Sequence, residues 1–169
     1  MPRIAVLFWA LTLLSLSGCA SYQLGSSTDL PYSVIRIDTP KNLTELAQVE
    51  APLNAALREA VSRSATLQLN EGQRYDALLE TTVIEAKREI AGVQSEDVGR
   101  GRKFELRITV SLSLRSSSQP DRFFIRDRQF EIRQDVYSDS GLVEAEYQAM
   151  PEISREIAER AVEIIEDLW

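Results

Sequence analysis

The strongest structural signal in this chain is a strict alternation of apolar and polar side chains between residues 104 and 114. Six apolar side chains stand two residues apart, with polar or charged side chains between them: Phe104, Leu106, Ile108, Val110, Leu112 and Leu114. Successive side chains of a strand point to opposite faces of a sheet, so this pattern predicts a strand with one buried and one solvated face. The sheet that contains it needs an apolar layer over one face only.

Weaker patterns predict the rest of the domain. Strands are predicted over 33–38, 76–90 and 122–137, and apolar residues at three- and four-residue steps predict helices over 50–65 and 144–168. Loops join the last three strands, which we therefore expect to be antiparallel neighbours. The predicted fold is a two-layer α+β sandwich of order β-α-β-β-β-α. Its mainly antiparallel four-stranded sheet has both helices packed on one face.

Two details follow from this prediction. The sheet face opposite the helices should be polar and should include Arg107, Thr109 and Ser111. Pro151 lies within the second helical pattern, and it either starts the main helix or kinks a longer one.

The first 18 residues have the order of an export signal. Arg3 precedes an uncharged run over 4–17, and the small residues Ser17 and Gly18 follow. As a helix that run is roughly 21 Å long, which is short of the roughly 30 Å core of a membrane. We therefore predict a cleaved signal peptide at 1–18, a polar tether at 19–32 and one α+β domain at 33–169.

Composition narrows the function. Without the signal the chain has 18 basic and 26 acidic side chains, a net charge of −8, which argues against nucleic-acid binding. The chain has no histidine, and its one cysteine, Cys19, would be lost to catalysis once it carries a lipid, so an enzyme would then have to work with carboxylates alone. Neither a nucleophile-elbow pattern nor a calcium-loop spacing is present. We predict no catalytic residues, no metal and no dissociable cofactor.

Leu16-Ser17-Gly18-Cys19 resembles the lipobox of bacterial lipoproteins. The resemblance implies that Cys19 receives an S-diacylglycerol, that the signal is cut before it, and that the new amine is acylated, for example with palmitate. Several acyl chains anchor a protein stably, since each buried methylene adds roughly 0.8 kcal/mol of membrane affinity. Ala20 follows the cysteine instead of aspartate, which by this resemblance implies the periplasmic side of the outer membrane.

An ordered set of short motifs resembles the lipopolysaccharide-assembly lipoprotein family, LptE. The matching stretches are Tyr22-Gln23-Leu24-Gly25, Asn42-Leu43-Thr44, Asp76-Ala77-Leu78-Leu79-Glu80 and Glu105-Leu106-Arg107-Ile108-Thr109-Val110. The chain departs from the family pattern at Ala20-Ser21, Tyr75 and Thr81. The similarity extends over nearly all of the predicted domain.

The resemblance implies a partner and a task. Its partner would be an LptD-like outer-membrane β-barrel, in whose lumen the lipoprotein sits as a plug. It would support barrel assembly and contact lipopolysaccharide in transit to the cell surface. The alternative is a lipoprotein cofactor of a cell-wall synthase or of a lipid ABC transporter, built on a similar small α+β domain.

Basic residues flank the loop at 91–101 and are candidates for binding the phosphates of lipopolysaccharide, since arginine and lysine bind phosphate well. The candidates are Lys87, Arg88, Arg102, Lys103 and Arg107. The alternative is a solvated strand end whose cations are partly neutralised by nearby acids such as Glu85, Glu89 and Glu105.

Residues 122–133 mix phenylalanine with arginine, a composition also found where single-stranded nucleic acid stacks on a protein. The acidic net charge and the export signal favour a different interpretation. We expect an edge strand whose arginines discourage pairing with another sheet.

Overall fold

A computed structural model describes residues 30–90, 102–138 and 142–167. The predicted signal peptide, Cys19 and most of the tether lie outside these ranges, as does the loop at 91–101.

The described residues form six strands and two helices. In chain order they are β1 (Val34–Ile37), β2 (Lys41–Asn42), α1 (Glu50–Arg63), β3 (Gln68–Leu69), β4 (Ala77–Ile90), β5 (Arg102–Ser116), β6 (Phe123–Ser138) and α2 (Leu142–Glu166). The predicted α+β class is confirmed. The strands and helices predicted from sequence all occur, and β2 and β3 are additional strands of two residues each.

The sheet is mixed, which corrects one detail of the prediction. Its strand order is β3-β1-β4-β5-β6, and β2 also pairs with β4. The pairs β4–β5 and β5–β6 are antiparallel as predicted, whereas β1 runs parallel to both β3 and β4. The parallel pairing arises because α1 lies between β1 and β4 in the chain and carries it back to the starting end of the sheet.

The core lies between one face of the sheet and the helices. In β5 the alternate residues Ile108, Val110 and Leu112 are fully buried. The same cluster contains buried residues of both helices: Leu53 and Leu57 of α1 and Ile153, Ile157 and Ile165 of α2.

The Tyr32 hydroxyl donates a hydrogen bond to the Ile165 carbonyl over 2.9 Å and ties the start of the domain to the end of α2. Burial raises the pKa of Tyr32 to about 12.

Pro151 lies in the interior of α2, so the structure excludes one of the two positions that the sequence allowed for it. The helix already begins at Leu142, so Pro151 does not start it. Proline has no N–H, and the carbonyl of Tyr147 therefore lacks its usual helical donor. The side chain of Pro151 is exposed, so its ring lies on the solvent side of the helix.

A β-bulge divides β4 into two halves. Val83 pairs with Val110 and Glu85 pairs with Thr109, so Ile84 has no partner in β5. Before the bulge Leu79, Thr81 and Val83 are buried against the helices. Because the extra residue shifts the alternation by one, the even-numbered residues Ala86 and Arg88 take the helix-facing positions after it, opposite Ile108 and Leu106.

Candidate functional site

Charged residues form rows across the face of the sheet that the helices leave open. In one row Lys87 of β4 faces Arg107 of β5, which faces Arg133 of β6. Acidic residues occupy the rows on either side: Glu85 and Glu131 on one, and Glu89, Glu105 and Asp135 on the other. We call this surface the charged open face. A row of cations thus lies between two rows rich in carboxylates.

The cations of the charged open face are held by neighbouring carboxylates. Lys87 Nζ lies 2.8 Å from Glu85, and Arg133 Nε lies 2.8 Å from Glu131. Arg107 bridges two acids, with Nη2 2.9 Å from Glu89 and Nε 2.5 Å from Glu105.

These hydrogen bonds raise the pKa of both Lys87 and Arg107, with Glu85 and Glu105 as the leading causes. The pairs are solvated and contribute little to stability, but they orient the cations.

Lys103 extends the charged open face toward the 91–101 loop. Its Nζ lies 2.8 Å from Asp135 and 5.9 Å from the centre of the Tyr137 ring. The hydrogen bond with Asp135 raises the pKa of Lys103. Tyr137 is 66% exposed, so a lysine, a carboxylate and an open aromatic ring are neighbours at this end of the sheet.

Arg88 lies on the other side of the sheet. It faces Leu106 in the register and forms a two-point ion pair with Glu146 of α2. Arg88 Nη2 donates to Glu146 Oε2 over 3.0 Å, and Nε donates to Oε1. Glu146 is only 5% exposed, so this pair joins sheet and helix at the margin of the core. The hydrogen bond to Glu146 raises the pKa of Arg88.

The structure therefore divides the five predicted phosphate-binding residues. Lys87, Lys103 and Arg107 lie together on the charged open face, and Arg88 faces the helices. Arg102 is the first residue of β5, and its side chain is outside the described part of the protein. Sequence reasoning missed Arg133, which completes the cationic row. The two-residue period of β6 could have placed it there, since it shares the parity of Glu131 and Asp135.

Two motifs that carried the family resemblance support the fold. Asp76 Oδ2 accepts hydrogen bonds from the backbone N–H groups of Ser33 and Val34, each over 2.9 Å, which ties β1 to the start of β4. These backbone bonds lower the pKa of Asp76. In the other motif Asn42 donates to the Leu46 carbonyl over 2.7 Å, and its Oδ1 accepts from Thr44. Neither motif belongs to the charged open face.

A cleft opens where the first turns of α2 meet the loop after β2. Its volume is about 340 Å³, and we call it the α2 cleft. The lining residues are Glu45, Ala47, Gln48, Arg88, Val143, Glu144, Glu146 and Tyr147. The Arg88–Glu146 pair lies within it. Gln48 has a positive φ of 60°, which is uncommon outside glycine and turns the loop along the edge of the cleft.

Across 30–90, 102–138 and 142–167 no helix is long and apolar enough to cross a membrane. Within the same ranges no group of three or more carboxylates is arranged to hold a metal ion.

Solved structures share this fold at low sequence identity. A protein from Xanthomonas campestris is 14% identical, with 80% of this chain and 85% of that chain covered and a TM-score of 0.52. A hypothetical protein from Chlamydia trachomatis is 11% identical, with coverages of 80% and 96% and a TM-score of 0.50. At such identities the likeness concerns the fold alone.

A comparison with curated protein sequences finds no match. The family model described as LptE, lipopolysaccharide-assembly, matches residues 32–164. This match includes β1 through most of α2 and therefore both layers of the sandwich. The chain thus belongs to the LptE family of lipopolysaccharide-assembly proteins.

Proposed function

We propose that this protein is an outer-membrane lipoprotein that plugs and helps to assemble the lipopolysaccharide-translocating β-barrel, an LptD-like protein. We further propose that it contacts lipopolysaccharide on its way to the cell surface. The family match over residues 32–164 carries this proposal. LptE proteins are accessory lipoproteins without an enzymatic activity, and the proposed task is accordingly binding and assembly.

The charged open face is compatible with the interior of a barrel. The lumen of an outer-membrane barrel is polar, so a plug needs a wetted outer surface instead of a broad apolar one. On this face the cations Lys87, Arg107 and Arg133 are already paired with carboxylates. A surface with satisfied charges can stay hydrated or exchange partners at low cost, which suits a plug that must let a charged lipid pass.

Lipopolysaccharide contact is assigned to the end of this face nearest the 91–101 loop. Lys87, Lys103 and Arg107 gather there, and Arg102 begins the same strand. A phosphate would compete with the carboxylates for hydrogen bonds that these cations now donate. We leave Arg88 out of this group because it faces α2 and is bound to Glu146.

The anchor is assigned to Cys19. We propose that the mature chain starts at this residue with an N-acyl group and an S-diacylglycerol, which hold it on the periplasmic side of the outer membrane. The lipobox residues Leu16 to Gly18 and the polar stretch up to residue 32 support this assignment. Residues 20–32 would span the distance between the lipid and the folded domain as a tether.

Affinity purification of the tagged full chain from membranes tests the proposal. We expect a large barrel protein, whose mobility on gels changes on heating, to copurify in a constant ratio. A Cys19→Ser chain should lose palmitate labelling and membrane retention while still folding. Recovery of a cell-wall synthase or an ATP-driven transporter in place of the barrel would overturn the plug assignment.

A further inference from the structure

The α2 cleft is chemically unlike the charged open face. It contains three carboxylates, those of Glu45, Glu144 and Glu146, and one guanidinium, that of Arg88, and so has a net charge of −2. The guanidinium of Arg88 already has a partner, because it donates two hydrogen bonds to the buried carboxylate of Glu146.

One side of the cleft is apolar and accessible. Val143 and Tyr147 are one helical turn apart on α2, and 70% and 56% of their surfaces are exposed. Ala47 also lines the cleft. An exposed tyrosine ring next to carboxylates offers a flat, electron-rich surface to a cation.

Most of the polar groups in the cleft accept hydrogen bonds. Glu45 and Glu144 present carboxylate oxygens, and each oxygen of Glu146 retains acceptor capacity beyond its single bond from Arg88. The carboxylates of this set match a ligand that donates hydrogen bonds.

The size of the cleft limits the ligand further. Pockets for small molecules typically have volumes of about 300–1,000 Å³, so about 340 Å³ is at the small end. A single extended side chain fits this description better than an acyl chain or a folded element.

We propose that the α2 cleft binds an arginine or lysine side chain of a partner protein. Its aliphatic stem would lie along Val143 and Tyr147, and its charged head would reach Glu45 and Glu144. Arginine satisfies both requirements, because its stem packs on apolar surface while its fork pairs with carboxylates. This inference does not depend on the proposed function, and it assigns the helix side of the molecule to protein contact.

Nuclear magnetic resonance titration of the purified full-length lipoprotein in detergent micelles tests the chemistry. The probe is N-acetylarginine amide, and N-acetylcitrulline amide is its neutral isostere. We expect saturable shifts of the backbone amides of Ala47, Gln48, Val143 and Tyr147 with the arginine compound. Binding of the citrulline compound should be at least about tenfold weaker, since the charged contacts are lost.

Matched variants separate the cleft from the general acidity of the chain. Glu45→Gln with Glu144→Gln should abolish the saturable shifts. Glu59→Gln with Glu163→Gln removes the same charge from exposed positions elsewhere on the helices and should leave the shifts unchanged. Equal shifts with both compounds, or loss of binding in both variants, would overturn the proposal.

Crosslinking in cells tests whether the ligand belongs to a protein. A photoreactive phenylalanine analogue at Val143 should form an adduct whose mapped peptide has an arginine or lysine within two residues of the attachment. Saturable arginine binding without any protein adduct would assign the cleft to a free small cation and would refute the partner.

Discussion

Arg88 of β4 and Glu146 of α2 form a two-point ion pair across the boundary between the sheet and the helix layer. Glu146 is buried, whereas Arg88 retains 31% of its side-chain surface in contact with solvent. The pair fixes the first turns of α2 to the second half of β4. It also forms one wall of the α2 cleft, so its loss should affect both stability and the shape of that cleft.

Removing one partner of this pair should destabilise the protein. We expect Arg88→Ala to lower the free energy of unfolding by about 3 kcal/mol, because a buried carboxylate loses its only described cation. The double substitution Arg88→Met with Glu146→Leu should cost less than Arg88→Ala alone, since no charge is left behind. Urea denaturation of the three proteins measures this difference. Equal losses in single and double variants would contradict a coupled pair.

The alternation of buried and exposed residues in β5 predicts different losses of stability at two neighbouring positions. Ile108→Ala should cost about 3–4 kcal/mol in unfolding free energy, because it opens a cavity between sheet and helices. The neighbouring Thr109→Ala on the charged open face should change stability by less than about 0.5 kcal/mol. Thermal or urea denaturation gives both values. Comparable losses at the two positions would refute the assignment of faces.

Stability should depend on pH through Asp76. Hydrogen bonds from Ser33 and Val34 lower its pKa in the folded protein, so the unfolded chain binds the proton more tightly. This contribution is complete above the unfolded pKa of about 3.9 and is lost as pH falls through the lower folded value.

Asp76→Ala tests this sign. We expect a loss of about 1–2 kcal/mol at pH 7 through the missing backbone contacts, and a smaller difference from the parent protein near pH 2. Denaturation curves at several pH values measure the difference. A gap that stays constant down to pH 2 would show that the carboxylate charge is not responsible.

Neutralising the cations of the charged open face should weaken lipopolysaccharide binding. We expect Lys87→Gln, Lys103→Gln and Arg107→Gln together to raise the dissociation constant at least about tenfold, since charged hydrogen bonds to phosphate are lost. Three exposed arginines in other parts of the domain, Arg63, Arg155 and Arg160, provide a control triple substitution to glutamine. Equal binding by the test and control proteins would contradict the assignment of phosphate binding to the charged open face.

The positive φ of Gln48 leads us to expect a substitution that stabilises the protein. Side chains larger than glycine are strained in the left-handed region, by about 1–2 kcal/mol per residue. Gln48→Gly should therefore raise the free energy of unfolding by about 0.5–1 kcal/mol, after the greater freedom of glycine in the unfolded chain is deducted. Chemical denaturation measures the gain. A loss of stability would mean that contacts of the glutamine side chain outweigh the backbone strain.

Local sequence patterns predicted most of this fold. The six alternating residues of β5 and the helical spacing in α1 and α2 are strong because one side of each element is buried. The short strands β2 and β3 were missed, since two residues carry no periodicity. The parallel pairing of β1 was also missed, because it depends on where α1 returns the chain.

The candidate site was predicted less completely, for a reason that lies in β4. Residues 76–90 alternate imperfectly, and nothing in the sequence alone fixes which residue of the strand is skipped by its neighbour. The structure identifies Ile84 as that residue. Lys87 and Arg88 were predicted to act together, but alternation alone places adjacent strand residues on opposite faces, and the bulge decides that Arg88 is the one that faces the helices.

Ile84, which has no partner in β5, also determines what a deletion in β4 would do. Up to Val83 the odd-numbered positions belong to the interior, and beyond Glu85 the even-numbered positions do. Deleting Ile84 would exchange the two sides of the distal half, driving Lys87 and Glu89 toward the helices and turning Arg88 away from Glu146. The extra residue Ile84 therefore determines which side chains of β4 face the helices and which face the open side of the sheet.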